Sequence, residues 1–292
     1  PVDPVHGDMY EGDVLAMIRY KGKLVVGGEF ETMRGVRVNN LAIFDGEAWR
    51  PVRGGVNGRV WAMAIVDPGI LYVAGDFSLV YNDPNDPLDS TSANGLTGWI
   101  DTNNQGVAVP GLNSGFVYAL AEYNGYLYVG GDFYDVDGVD IDGGSYHVLQ
   151  FEWGVGFSNM VGSDPAVQSG PRGTVYALAV LDSVLYAVGS FSYVNDYETL
   201  PIAMWDGQAW SAHVLGDNFF AGSIYTIASY HDELYIGGGF FMHSTIDEIN
   251  TAARFDGQLW RPLTSPFDGT VKSMIAYLDL LYIGGSFFKV GA

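Results

Sequence analysis

The stretch LYVGGDF, residues 127–133, decides the fold because the chain keeps returning to it. It recurs as LVVGGEF from Leu24, LYVAGDF from Leu71, LYAVGSF from Leu185, LYIGGGF from Leu234 and LYIGGSF from Leu281. The intervals between these leucines are 47, 56, 58, 49 and 47 residues. Near-constant spacing along the whole length marks tandem structural units, not one isolated loop.

Upstream of each copy lies a second recurring segment: VLAMIRY, VWAMAIV, VYALAEY, VYALAVL, IYTIASY and VKSMIAY. Its third position is always small (Ala16, Ala62, Ala119, Ala177, Thr226, Ser273), as expected where strands converge on a crowded axis. We label it strand a and the LYVGG segment strand b, joined by short turns such as KGK, DPG and NG. Strand c reads NLAIFDG, PIAMWDG and TAARFDG, each closing on an Asp-Gly turn signal. Strand d follows as AWRPV, AWSAHV and LWRPL, with Trp49, Trp210 and Trp260 at one fixed position, which suits packing between neighbouring units. Four antiparallel strands in roughly 50 residues is the signature of a β-propeller blade. A solenoid competes, but a small inner strand and a bulky outer tryptophan suit radial packing better. The expected architecture is therefore all-β: a single domain over residues 1–292, forming a six-bladed propeller of four-stranded antiparallel blades. The units run over about 14–58, 59–115, 116–173, 174–222, 223–269 and 270–292, the last incomplete within this sequence.

The combination of LYVGGDF, NxxAxFDG and W-x-P resembles the glycine-phenylalanine propeller repeats of bacterial surface and secreted proteins. It is similar also to delta-60-type repeats, to fungal cell-polarity proteins of the Rax2 kind and, more loosely, to kelch repeats. The resemblance covers essentially the whole chain and implies a propeller fold and an extracellular or cell-surface setting. Residues 94–112 and 146–162 depart from the pattern by lacking the W-x-P ending.

The two ends align to the repeat. Pro1-Val2 matches Pro51-Val52, so residues 1–13 are expected to close the last blade as its outermost strand, near Tyr282. Strand c of that blade has no counterpart within the sequence. An unpaired edge of this kind invites β-addition, either by protein partners or by self-association.

Composition narrows the function. With 34 Asp and Glu against 13 Lys and Arg, the formal net charge is −21, which repels phosphate backbones and makes nucleic acid an unsuitable partner. There is no cysteine, so thiolate catalysis, disulfides and Cys-based metal sites are excluded. No apolar run approaches the roughly 20 residues that span a bilayer. The patterns G-x-S-x-G, H-E-x-x-H, Walker A and G-x-G-x-x-G do not occur. The five histidines fall at different repeat positions, and no catalytic residue is nominated.

The strongest local signals lie between strands b and c. YDVDGVDIDGGSYH (134–147) brings together Asp135, Asp137, Asp140 and Asp142, and VYNDPNDPLDSTSANG (80–95) brings Asp83, Asp86 and Asp89. Clustered hard oxygen ligands suit Ca²⁺, the one cofactor the sequence suggests, although the EF-hand register is not met. Asp137-Gly138 also aligns with Arg34-Gly35, which reads as an ordinary turn carrying extra acid. In a four-stranded blade the b–c and d–a connections emerge on one face, which is the candidate binding face. The expectation is a non-catalytic, extracellular or cell-surface structural or interaction propeller, a subunit of a larger assembly or filament. The alternatives are a carbohydrate-binding propeller and a propeller glycoside hydrolase or lyase.

Overall fold

A computed structural model describes residues 12–100, 105–109, 112–136, 147–160, 170–212, 219–243, 248–263 and 267–291. Every regular element among them is a β-strand, and no helix is long and apolar enough to cross a membrane.

The first sheet pairs Gly12–Tyr20, Lys23–Phe30, Leu41–Phe44 and Trp49–Pro51 in that order, the expected a-b-c-d path. The second repeats it with Val60–Val66, Ile70–Gly75, Leu96–Ile100 and Gln105–Ala108. The third uses Leu112–Tyr123, Tyr126–Val136, Val148–Glu152 and Gly156–Asn159. The fourth uses Pro171–Leu181, Val184–Val194, Ile202–Trp205 and Trp210–Ala212, and the fifth Phe219–Tyr230, Glu233–His243, Glu248–Phe255 and Trp260–Pro262. Thr270–Tyr277 and Leu280–Ser286 form a two-stranded sixth. Strand d thus forms in the second and third sheets without the W-x-P ending.

Strand a starts earlier than the repeat boundaries suggest. Gly12 and Asp13 pair with Phe30 and Glu29, so they belong to the first sheet and not to an outer strand of the last. Residues 1–11 lie outside the described residues, and with them the expected pairing near Tyr282.

By contacts, the chain divides into two compact units. One comprises Pro1–Val129, Phe133–Asp140 and Gln150–Ser158, the other Gly130–Asp132, Ile141–Leu149 and Asn159–Ala292. In the first unit, Val25, Leu41, Val60, Leu71 and Val73 are buried together with Trp99. In the second, Val188, Ile202, Ile224, Ile236 and Ile249 pack with Trp260. Ile70–Gly75 is buried at every position, so this strand b is covered on both faces, whereas both ends of Glu233–His243 alternate between buried and more exposed residues. Ile275, Tyr277, Leu280 and Tyr282 of the sixth pair remain exposed.

Register explains the glycine pair. In each of five sheets strand a carries a β-bulge immediately before its small residue. Val14 faces Gly28 and Ala16 faces Gly27, with Leu15 left over; Val60, Ala62 and Trp61 repeat this against Gly75 and Ala74. At the bulge the two backbones close in. A Cβ on Gly28, Gly75, Gly189, Gly238 or Gly285 would lie 1.8–2.1 Å from a carbonyl oxygen of strand a or, at Gly75, of the residue just before it, closer than any real contact. The first position of the pair obeys a looser rule. Gly27 and Gly237 make room for Val60 and Val271 of the following sheet, whose Cγ1 atoms lie 2.4 Å from the missing Cβ, but Ala74 and Val188 stand there elsewhere. Only the second glycine is a backbone requirement.

The tryptophans of strand d stack on their register partners within their own sheet. Phe44–Trp49, Trp205–Trp210 and Phe255–Trp260 have centroid separations of 5.3, 5.6 and 5.1 Å. Such cross-strand aromatic pairs fix the register of the short outer strand.

Candidate functional site

The position after the glycine pair is acidic in the first three copies (Glu29, Asp76, Asp132) and Ser190, Gly239 and Ser286 in the rest. In the first unit this column meets Arg59, the residue just before strand a of the second sheet. Arg59 Nε donates to Glu29 Oε2 at 2.5 Å and its Nη2 to Oε1 at 3.2 Å. Its Nη1 stands 3.5 Å from Asp76 Oδ2, while its backbone N–H donates to Asp76 Oδ1 at 2.6 Å. The Arg59 hydrogen bond is the largest cause holding the Glu29 carboxyl below its ordinary range.

These groups line a cavity of about 790 Å³. Its walls come from the start of strand a (Asp13), the exit of strand b (Glu29 to Thr32), Asn40 and the d–a connection (Asn57 to Arg59). It therefore opens on the face where b–c and d–a connections emerge. Side-chain amides hold the rim. Asn40 accepts from Phe30 N–H at 2.8 Å and donates to the Val56 carbonyl at 3.0 Å. Asn57 Oδ1 accepts from the N–H groups of Ser78 and Leu79, both at 2.8 Å. The buried Asn39 amide donates to the carbonyls of Gly54 and Pro84. A loop tied at this many points is set before any ligand arrives.

Next to the cavity an aromatic row starts at the bulge residue Trp61. The Arg59 guanidinium carbon lies 5.8 Å from the centre of the Trp61 ring. Trp61 meets Tyr118 edge-on at 5.9 Å, and Tyr118 meets Phe116 at 6.3 Å. Phe116 is 46% exposed. In the second unit the corresponding Tyr176 and Tyr225 lie 5.3 Å apart. Sequence reasoning missed this row, although its signal is visible: the residue before the small position is Trp61, Tyr118, Tyr176 or Tyr225 in four of six copies. A bulge re-aims a side chain, so that column carries something other than core packing.

A second cavity of about 360 Å³ lies at the turn ends of the strands in the first unit, against Asp67, Asn124, Tyr126 and Trp153. Tyr72, which also lines it, has its hydroxyl pushed up to about 12 by burial.

The acidic residues singled out from the sequence are only partly in view. Asp137, Asp140 and Asp142 lie outside the described residues, and Asp135 is exposed on strand b. The second segment is not a loop but a hairpin, Leu79–Asp83 with Asp86–Ser92. Asp83 accepts from Asn85 N–H at 2.8 Å, Asp86 from Leu88 N–H at 3.0 Å, and Asp89 from the Asn82 amide at 2.5 Å. Each carboxylate is engaged with its own turn or strand neighbour. Among the described residues no group of three or more His, Asp and Glu is placed to hold a metal. His147 is buried, with Nδ1 3.1 Å from the Gly131 carbonyl and its pKa lowered chiefly by that burial. The Arg34-Gly35 pair forms the tight turn between Thr32–Met33 and Val36–Arg37.

No protein-family model and no curated protein matches the sequence. Among solved structures, the extracellular domain of BT4673 from B. thetaiotaomicron aligns with 94% of this chain at 14% identity and a TM-score of 0.46, and the chain spans 37% of it. An ancestral GH74 enzyme aligns with 90% of this chain at 14% identity and a TM-score of 0.53, with 32% of its own length covered. YjhT aligns with 97% at 13% identity and a TM-score of 0.51, with 91% covered. The last two are similar to this chain in fold alone. Together with the sheet order they establish an all-β, propeller-type fold.

Proposed function

We propose that the chain is a non-catalytic, extracellular or cell-surface six-bladed propeller that binds a ligand on the face where its b–c and d–a connections meet. One observation carries the non-catalytic reading. Among the described residues, every carboxyl whose acidity is displaced is displaced downward: Glu29, Asp45, Asp206, Asp256 and Asp268. Hydrolases and lyases that work with paired carboxyls need one held protonated near neutral pH, its pKa raised by burial or by a like charge. Glu29 meets the Arg59 guanidinium instead, which favours its ionised form.

Six copies of strand b and five sheets in a-b-c-d order support six blades. Repeat resemblance and the net charge of −21 support a surface setting. Among the described residues Leu280–Ser286 pairs only with Thr270–Tyr277 and bears the exposed Leu280 and Tyr282, which supports completion by another strand, and with it protein partners or self-association in a larger assembly. The test is incubation with a panel of polysaccharides and peptides, followed by assays for new reducing ends and free amines. No turnover is expected. Turnover abolished by Asp76→Asn would refute the reading.

A further inference from the structure

We propose that the cavity around Arg59 and the aromatic row beside it form one binding site for a neutral oligosaccharide. This rests on the reading of that face as a binding face and names the ligand class it takes.

A pyranose ring offers two kinds of surface: an apolar C–H face and a rim of hydroxyl groups. Its receptor needs an exposed aromatic face next to rigid polar side chains that both donate and accept. The site has both. Phe116 is 46% exposed, and it continues through Tyr118 and Trp61 to the Arg59 guanidinium, with successive separations of 6.3, 5.9 and 5.8 Å. At that end the Arg59 guanidinium, fixed between Glu29 and Asp76, supplies N–H donors, and the two carboxylates supply acceptors. Hydroxyl groups that donate to ionised carboxylates make charge-assisted hydrogen bonds, the stronger kind. The cavity volume, about 790 Å³, falls within the range of small-ligand sites, roughly 300–1,000 Å³.

Charge decides among ligand classes. Asp13, Glu29, Glu31 and Asp76 outnumber Arg59 on the cavity wall, so uronates, sulfated sugars and phosphates are repelled. A basic peptide is disfavoured for a different reason. Glu29 and Asp76, the best-held carboxylates, already share a cation, and a lysine would have to displace it. A neutral ligand uses the same groups without breaking that ion pair.

Calorimetric titration tests this with cellohexaose, xylohexaose, mannohexaose and maltohexaose, and with hexagalacturonate and hexalysine as charged comparators. At least one neutral hexasaccharide is expected to bind. Phe116→Ala should weaken it about tenfold or more, Phe116→Tyr should retain it, and Arg59→Ala should weaken it as well. The proposal is overturned if no neutral hexasaccharide binds, if hexagalacturonate or hexalysine binds more tightly, or if Phe116→Ala binds like the parent. Shortening of a bound hexasaccharide during incubation would leave the sugar site standing and refute the non-catalytic reading instead.

Discussion

Replacing Gly28 with alanine should be among the most damaging single-methyl additions in the chain. Gly28 is not in the left-handed region, so the cost is one of space and not of backbone conformation. An alanine Cβ would sit 1.9 Å from the Asp13 carbonyl oxygen and 3.0 Å from Val14 Cα, atoms that have no rotamer to move into. Ordinary contact at about 3.4 Å requires strands a and b to part by more than 1 Å at the bulge. Overpacking of this kind costs about 1–3 kcal/mol, and stretching one ladder hydrogen bond adds about 1 kcal/mol. A total of about 2–4 kcal/mol corresponds to a melting temperature lower by roughly 3–7 °C for a chain of this size. Thermal unfolding followed by circular dichroism reads this directly. Gly27→Ala is the internal control, because its clash is with Val60 Cγ1, a side-chain atom 2.4 Å away. Adding Val60→Ala removes the Cγ1 overlap but keeps Val60 Cβ, 2.8 Å away, so it should recover part of the loss in Gly27→Ala and none of it in Gly28→Ala. A Gly28→Ala protein that melts within 1 °C of the parent would refute the bulge as the reason for the invariant glycine.

Three further outcomes are expected. The c–d turns are held by Asp45, Asp206 and Asp256, whose Oδ1 atoms each accept two backbone N–H groups. These bonds lower their pKa values, that of Asp256 to about 2, so the ionised form is favoured in the fold. Their stabilisation is full above the unfolded value near 3.9 and is lost as pH falls through the folded value. The melting temperature should therefore drop between about pH 4 and pH 2, and less steeply in the triple Asp→Asn variant; parallel curves would contradict the assignment. Thr226 is buried and its hydroxyl accepts from Met274 N–H at 3.0 Å. Thr226→Val should cost about 1–3 kcal/mol by urea unfolding and Thr226→Ser much less, and equal losses would remove the hydrogen bond as the cause. Calcium should stabilise the parent and the Asp83→Asn, Asp86→Asn, Asp89→Asn variant equally, because those carboxylates are engaged in their own hairpin; a calcium-dependent shift lost in the variant would show a site there.

Strand order was legible because each strand carries its own mark: a small third residue in a, Gly-Phe in b, Asp-Gly at the end of c and tryptophan in d. The hairpin at 32–37 was not, because Thr-Met and Val-Arg pairs have no period long enough to read, and that at 79–92 was not, because DPLDSTS is polar, holds a proline and shows no apolar alternation. The bulge was hidden for a deeper reason. Hydrogen-bond register is a relation between two strands, and the glycine that permits it looks like a pair when Ala74 and Val188 already show that only its second member is fixed. The cleft was illegible for a similar reason. Glu29, Arg59 and Asp76 are 30 and 17 residues apart, and no local spacing announces that one guanidinium joins two consecutive strand ends.

The contact of Val60 with Gly27, and of Val271 with Gly237, gives the order of the sheets a physical basis. A strand b that ends in Gly-Gly presents a notch, and the valine of the next strand a fills it. A sheet bearing Ala74 or Val188 presents a smaller notch or none. Recombination among the repeats is therefore not free: moving the second sheet's strand b in front of Val60 would set a methyl group against that valine. Any engineered duplication or exchange of blades must carry the notch and its valine across together.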